Sequence, residues 1–270
     1  RSVAVTGVQT CALPISTSTV RDDGDVPRAF FFVGATITHN GATFDNVAGF
    51  SIDFNGTSFS GGDYGDVTLM FTGLNITTAL TGNVSGGDIL VQAGTINNTT
   101  TLDTAGFAVT ATSLHIGHLT TGTRNGRLLA NGSAIDINGS LNIRDASAAR
   151  LNSIEAGAAT FNVVGSWIVE NALAVAGSFV PGTSTVIFDA TSGTPTITSA
   201  GTSFNDVVFN DAGNNITFTI EDAFNVDGDL TITGGSLDTK AAESNSIAIG
   251  GNFVNDDIFI PNSGTVTFDG

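Results

Sequence analysis

Few residues in this sequence are of types that do chemistry, and they are scattered. His115, His118, Arg124 and Arg127 form the one place where histidine and arginine gather. A metal site needs ligands that converge on one point. Leu114-His-Ile116 reads as strand alternation, which turns His115 outward, and His118 lies beyond Gly117, so nothing in the spacing brings the two together. The pair reads as exposed histidines beside a turn. Arg124-Asn-Gly-Arg127 reads as a turn between strands, and its two guanidinium groups would suit an anionic sugar. Glu155 would serve as a general acid only if a second carboxylate faced it across a groove, and no spacing fixes one. Arg21-Asp-Asp-Gly-Asp25 has the oxygen ligands that calcium takes, but not the D-x-[DN]-x-[DN]-G spacing with a later Glu. Ser60-Gly-Gly-Asp-Tyr-Gly-Asp-Val67 approaches the calcium-binding nonapeptide G-G-x-G-x-D-x-U-x, with Tyr64 where a glycine is required and no tandem copy. The first reads as a solvated turn entering the first strand, and the second departs too far from the nonapeptide to be assigned to calcium. No catalytic, cofactor-binding or metal-ligating residue is therefore assigned, and calcium is the one cofactor left open.

The elements that carry these residues are short strands. Leu230-Thr-Ile232, Ile247-Ala-Ile249, Ile258-Phe-Ile260 and Val266-Thr-Phe268 each place two large apolar residues two apart, which puts both on one face of a strand. Gly234-Gly235, Gly250-Gly251 and Asn262-Ser-Gly264 supply turns between them. The same triads recur at Phe50-Ser-Ile52, Val67-Thr-Leu69, Leu74-Asn-Ile76, Ile135-Asp-Ile137, Leu141-Asn-Ile143, Phe161-Asn-Val163, Leu173-Ala-Val175 and Phe224-Asn-Val226. No window shows a capped 3.6-residue apolar period. Ala146–Ala159, richer in alanine, is the one candidate for a short helix or lateral loop.

Internal repetition is present. Thr185-Val-Ile-Phe-Asp189 matches Thr265-Val-Thr-Phe-Asp269, and Phe179-Val-Pro181 matches Phe259-Ile-Pro261 at the same offset. Gly165-Ser-Trp167 corresponds to Gly251-Asn-Phe253 and Gly139-Ser-Leu-Asn-Ile143 to Gly228-Asp-Leu-Thr-Ile232, with small drifts in offset. Thr36–Val47 matches Thr196–Val207 at twice the first offset, and Gly87–Ile96 follows the pattern of Gly228–Leu237. Repetition of short strands favours stacked coils that bury one continuous core. The expected fold is all-β: a parallel β-helix of short three-strand coils, each of roughly 20–30 residues. Tandem β-sandwich repeats are the alternative.

Composition bounds the partners. With 25 acidic and 8 basic residues the net charge is −17 over 270 residues, and Lys240 is the single lysine, which excludes a nucleic-acid surface. There is no run of about 20 apolar residues for a membrane-spanning helix. The 19 phenylalanines against one Trp and one Tyr read as stacked core at Phe188, Phe218 and Phe268, since carbohydrate clefts expose Trp and Tyr. Val5–Ile15, VTGVQTCALPI, resembles the translation of a sequencing adapter, so residues 1–16, with the single Cys11, are set apart from the fold. Residues 17–33 read as an irregular lead-in and residues 34–270 as the β-solenoid, truncated at both ends.

The motif G-[DNS]-[LIF]-x-[IV], followed by S-L-D-T, I-G-G-N-F and G-T-V-T-F-D-G, resembles repeats of very long bacterial surface and secreted proteins of the adhesin-like, filamentous-haemagglutinin-like and autotransporter-passenger type. The resemblance spans about Thr36–Gly270 and is clearest over 228–270. It implies a right-handed, extracellular, non-enzymatic β-helix acting as stalk or adhesive surface, continuing into further repeats and meeting host or matrix glycans or proteins. It carries over no functional residues, because the shared positions are core and turn. A polysaccharide-degrading or glycan-binding parallel β-helix is the alternative function.

Overall fold

In most of the triads the middle residue is polar or small and the ends are apolar, so an extended backbone buries the ends and wets the middle. A computed structural model describes residues 51–95, 97–118, 124–144, 152–170, 178–211, 213 and 215–270, together with the backbone of five earlier strands, Val3–Val5, Thr19–Arg21, Ala29–Val33, Thr36–Ile37 and Thr43–Asp45. The chain folds as expected into an all-β solenoid of about 8 turns, without helix among the described residues. Every strand pair is parallel, which removes the antiparallel sandwich alternative.

Most coils contribute one strand to each of three faces. Face one is a 12-stranded sheet that runs the whole stack, from Val3–Val5 to Ile258–Ile260. Face three is a 9-stranded sheet from Gly62–Asp63 to Phe253–Asn255. Face two is broken into a 7-stranded sheet, from Thr36–Ile37 to Phe179–Val180, and a 4-stranded sheet, from Ser203–Phe204 to Val266–Phe268. A separate two-stranded sheet pairs Thr19–Arg21 with Thr43–Asp45. Coil length varies: the coil that brings Ile52 into register with Leu69 is short, whereas the one from Trp167 to Ile197 is much longer.

The core is one continuous column. Ile89 and Val91 lie between Leu69 and Phe71 on one side and Leu114 and Ile116 on the other, all buried. Phe188 and Phe218 are fully buried as expected, while Phe268, on the last coil, is 62% exposed. Two triads read differently. Leu74-Asn-Ile76 is not a strand triad: Asn75 takes a φ of 55°, which breaks the alternation, so the strand Ile76–Leu80 begins late and buries Thr78 and Leu80. In Ile258-Phe-Ile260 the middle residue faces inward, because Phe259 is paired with Leu237 and its ring meets Phe253 at 5.6 Å, leaving Ile258 exposed. Of Ala146–Ala159, Ser153–Glu155 is a strand; the stretch up to 151 and the Leu173–Val175 triad lie outside the described residues.

The repeat has a phase that the coils do not share. One corner carries a turn closed by an i+3 to i backbone bond: Phe107 N to Thr104 O, Ser133 N to Ala130 O, Ala159 N to Ala156 O and Ser184 N to Pro181 O, all between faces two and three. The same turn then reappears at Thr202 N to Ser199 O and Gly264 N to Pro261 O, now between faces one and two. Accordingly Thr185–Phe188 lies on face three, but its copy Val266–Phe268 lies on face two. Leu141–Ile143 lies on face one and its copy Leu230–Ile232 on face three. Each copy is the eleventh strand after its original, one short of four complete coils. The slip falls at Thr185–Thr198, where a repeat unit has two strands, Thr185–Phe188 and Thr196–Thr198, before the next turn.

Candidate functional site

A polar depression lies on face two of the last coils. The inward residues Phe204, Phe224, Val226, Ile247 and Ile249 anchor its strands in the core. Their registers stack Ser203, Asn225, Ala248 and Thr267 in one outward file. The residues after each strand stack as well, since Asp227 N donates to Phe204 O at 2.8 Å, Gly250 N to Val226 O at 2.8 Å and Asp269 N to Ile249 O at 3.1 Å. Ala248 and Gly250 thus sit side by side on one coil and project nothing long. The gap is a depression of about 360 Å³ lined by Gly201, Ser203, Asn225, Val226, Asp227, Ala248 and Asp269. Asp227 and Asp269 are two coils apart, about 9.6 Å along the stack. Ser203 Oγ donates to Asp227 Oδ2 at 2.8 Å. The lining offers carboxylate, amide and hydroxyl groups, suited to a ligand rich in hydroxyls; it contains neither a cationic nor an aromatic side chain. The sequence reading missed this pair, because the two aspartates come together only through coil stacking across Gly250.

The residues singled out from sequence are placed elsewhere and mostly paired. Arg124–Leu129 is a six-residue strand in register with Asn98–Asp103, not a turn. The extended form is possible because Gly126 passes against Val91, where a Cβ would lie 1.9 Å from the Val91 carbonyl oxygen. Arg127 Nε donates to Glu155 Oε1 at 2.9 Å and Nη2 donates to the same oxygen, which ties the two into a cross-coil ion pair. Glu155 therefore faces a guanidinium. Tyr64 is buried, packs its ring at a tilt against Phe59 at 5.2 Å and donates its hydroxyl to Ser60 O at 3.0 Å, so the Ser60–Val67 stretch is a packed corner. Asp63 accepts from Gly65 N at 3.0 Å and from Ser85 Oγ at 2.7 Å. The Asp22–Asp25 stretch lies outside the described residues. Among the described residues no group of three or more His, Cys, Asp or Glu is placed to hold a metal ion.

His115 points outward as expected but is half-buried, not exposed. Its Nδ1 lies 3.2 Å from Asn142 Nδ2 on the next coil. Its pKa is lowered to about 4, chiefly by burial and with a contribution from the Arg144 guanidinium, while Asp88 acts the other way. Arg144 itself, 7% exposed, follows the strand Leu141–Ile143 and was not singled out. Its Nε and Nη1 are buried without a hydrogen-bond partner among the described residues. Burial lowers its pKa, with Glu170 and Asp88 acting the other way. Asn152 fills the space that Gly117 leaves, accepting from Gly126 N at 2.7 Å and donating to the Arg144 carbonyl. A charged residue directly after a Gly-Ser-Leu-Asn-Ile strand was the available signal.

Other side chains are tied between coils. Asn131 donates to Asp103 at 2.6 Å, Asn162 to Asp136 at 2.6 Å and Asn262 to Asp238 at 2.6 Å. Lys240 bridges Glu221 at 2.6 Å and Glu243 at 2.7 Å. Asp211, buried, accepts from Gly213 N at 2.9 Å, Asn215 N at 2.5 Å and Ile216 N at 2.7 Å and so fastens its own loop. Comparison with family models, with curated proteins and with solved structures returns no match.

Proposed function

We propose that this chain is a structural and adhesive rod segment of a large secreted or surface-anchored bacterial protein, acting outside the cell without catalysis. The observation that carries the reading is where the polar side chains go: Arg127 to Glu155, Asn131 to Asp103, Asn162 to Asp136 and Lys240 to Glu221 are bonds from one coil to another. Side chains committed to holding a stack suit a spacer with a decorated surface. Its partners would be host or matrix glycans or proteins, met along the outer faces.

The test is display of the whole chain on a non-adherent bacterium. Adherence to immobilised matrix glycans or proteins above a scrambled-sequence control is expected, and its absence removes the adhesive half. A polysaccharide panel read for new reducing or unsaturated ends addresses catalysis. No product is expected; product that disappears in Asp227→Asn and Asp269→Asn would overturn the non-catalytic half. One observation favours a second reading, a glycan-binding or glycan-degrading β-helix: Asp227 and Asp269 flank an open polar depression.

A further inference from the structure

We propose that the rod is two cooperative units, residues 51–188 and 196–270, and that it parts first at the seam between them. The inference goes beyond the adhesive reading and holds whether or not the chain is adhesive. In a solenoid each coil touches only its neighbours, so stability is close to a sum of nearest-neighbour terms and the weakest interface decides where the stack opens.

The seam is where the sequence repeat slips by one strand against the coil. Its cost is visible in the ladders. On face three Thr185–Phe188 pairs fully with Asp206–Phe209. On face one the pairing shrinks to Trp167 with Ile197 and Ile168 with Thr198. On face two Phe179–Val180 and Ser203–Phe204 belong to different sheets, and no backbone ladder joins them. Earlier coils keep all three, as where Ile89–Val91, Asn98–Asp103 and Val109–Ala111 pair with the coil that follows.

Aromatic packing replaces the missing ladder. Phe204, fully buried, meets Trp167 at 5.2 Å, Phe179 at 5.5 Å and Phe188 at 6.4 Å across the seam, and Phe224 at 5.1 Å on its own side. Phe188 stacks on Phe209 at 5.2 Å. Phe204 is therefore a plug: its ring faces three aromatic rings of the first unit from the first face-two strand of the second. Trp167, the single tryptophan, sits on the first unit's side and reports on the plug.

Native-state hydrogen exchange in graded urea, read by peptide on the whole chain, tests this. In the unmodified protein, peptides of 196–270 should share one opening transition and those of 51–169 another, with the boundary inside 188–196. Phe204→Ala should speed exchange of 196–270 by about a hundredfold or more and open Trp167 to acrylamide quenching, while 51–163 stays protected. Leu237→Ala, a core truncation deeper in the second unit, should speed 196–270 yet leave Trp167 shielded under native conditions. One common transition for all peptides, opening coil by coil from an end, or a boundary elsewhere overturns the proposal. The unmodified protein alone decides this should Phe204→Ala not fold, and a quenching response equal in the two variants overturns the plug.

Discussion

Gly165 offers the sharpest test of how the coils stack. The glycine of the Gly-Ser-Trp motif lies over Gly139 of the Gly-Ser-Leu motif, one coil earlier, and Gly165 N donates to Gly139 O at 2.8 Å. A Cβ built on Gly165 would lie 2.6 Å from both the carbonyl carbon and the oxygen of Gly139. Relief to a contact of 3.0–3.4 Å requires the coils to separate by about 0.4–0.8 Å there. That stretches the 2.8 Å bond to the limit of hydrogen bonding, along with its neighbours Val164 N to Ile137 O and Leu141 N to Ser166 O, each 2.9 Å. At about 1 kcal/mol net for each of three weakened bonds, Gly165→Ala should cost about 3 kcal/mol. Gly106 is the control with the opposite defect. Nothing lies within 4 Å of its Cβ position, but its φ is +86°, so Gly106→Ala carries backbone strain alone, about 1–2 kcal/mol. Thermal denaturation followed by circular dichroism should show the first variant losing about 6–12 °C and the second about 2–8 °C. Equal shifts, or a more stable Gly165→Ala, would refute the close-stacking argument.

Three further outcomes follow from the placed side chains. Burial pushes the Asp211 carboxyl up, but three backbone N–H donors outweigh it and hold the group below its ordinary 3.8. Its stabilisation is thus present above that value and lost as pH falls through the lower folded one. Asp211→Asn can keep its amide oxygen on the Asn215 and Ile216 donors but then turns its NH2 towards Gly213 N and loses the charge, so it should cost about 1–3 kcal/mol near neutrality, with the gap to the unmodified protein closing below pH 3.8 in urea melts. His115 works in the other window: the unfolded chain takes up a proton near 6.5 and the folded one near 4. Stability should fall as pH drops from 6.5 to 4, and His115→Gln should flatten that slope; an imidazole titrating near 6.5 by NMR would refute the burial. Trp167→Ala, a fully buried truncation, should cost about 3–5 kcal/mol by denaturant titration.

The sequence by itself determined the class of fold, and the reason is local. Leu141-Asn-Ile143 or Phe224-Asn-Val226 can bury both ends only on an extended backbone, and turn residues, such as Gly234-Gly235 and Gly250-Gly251 after Leu230–Ile232 and Ile247–Ile249, keep such strands short. Recurrence of such units in one order then implied stacking. Where local context failed, one residue decided: Asn75 in a left-handed conformation delayed a strand, and Phe259 displaced two isoleucines from the core because Leu237 and Phe253 waited beneath it. What only the tertiary structure decided was which residues meet. The copies matched at a common offset look equivalent as text, yet the two-strand unit at Thr185–Thr198 sets them on different faces. Arg127 found Glu155, and Asp227 and Asp269 came to line one depression on either side of Gly250, through coils whose lengths differ from one turn to the next. A strand motif fixes the direction of its own side chains. Its neighbours across the stack are fixed by the total length of chain wound between them, which no single motif encodes.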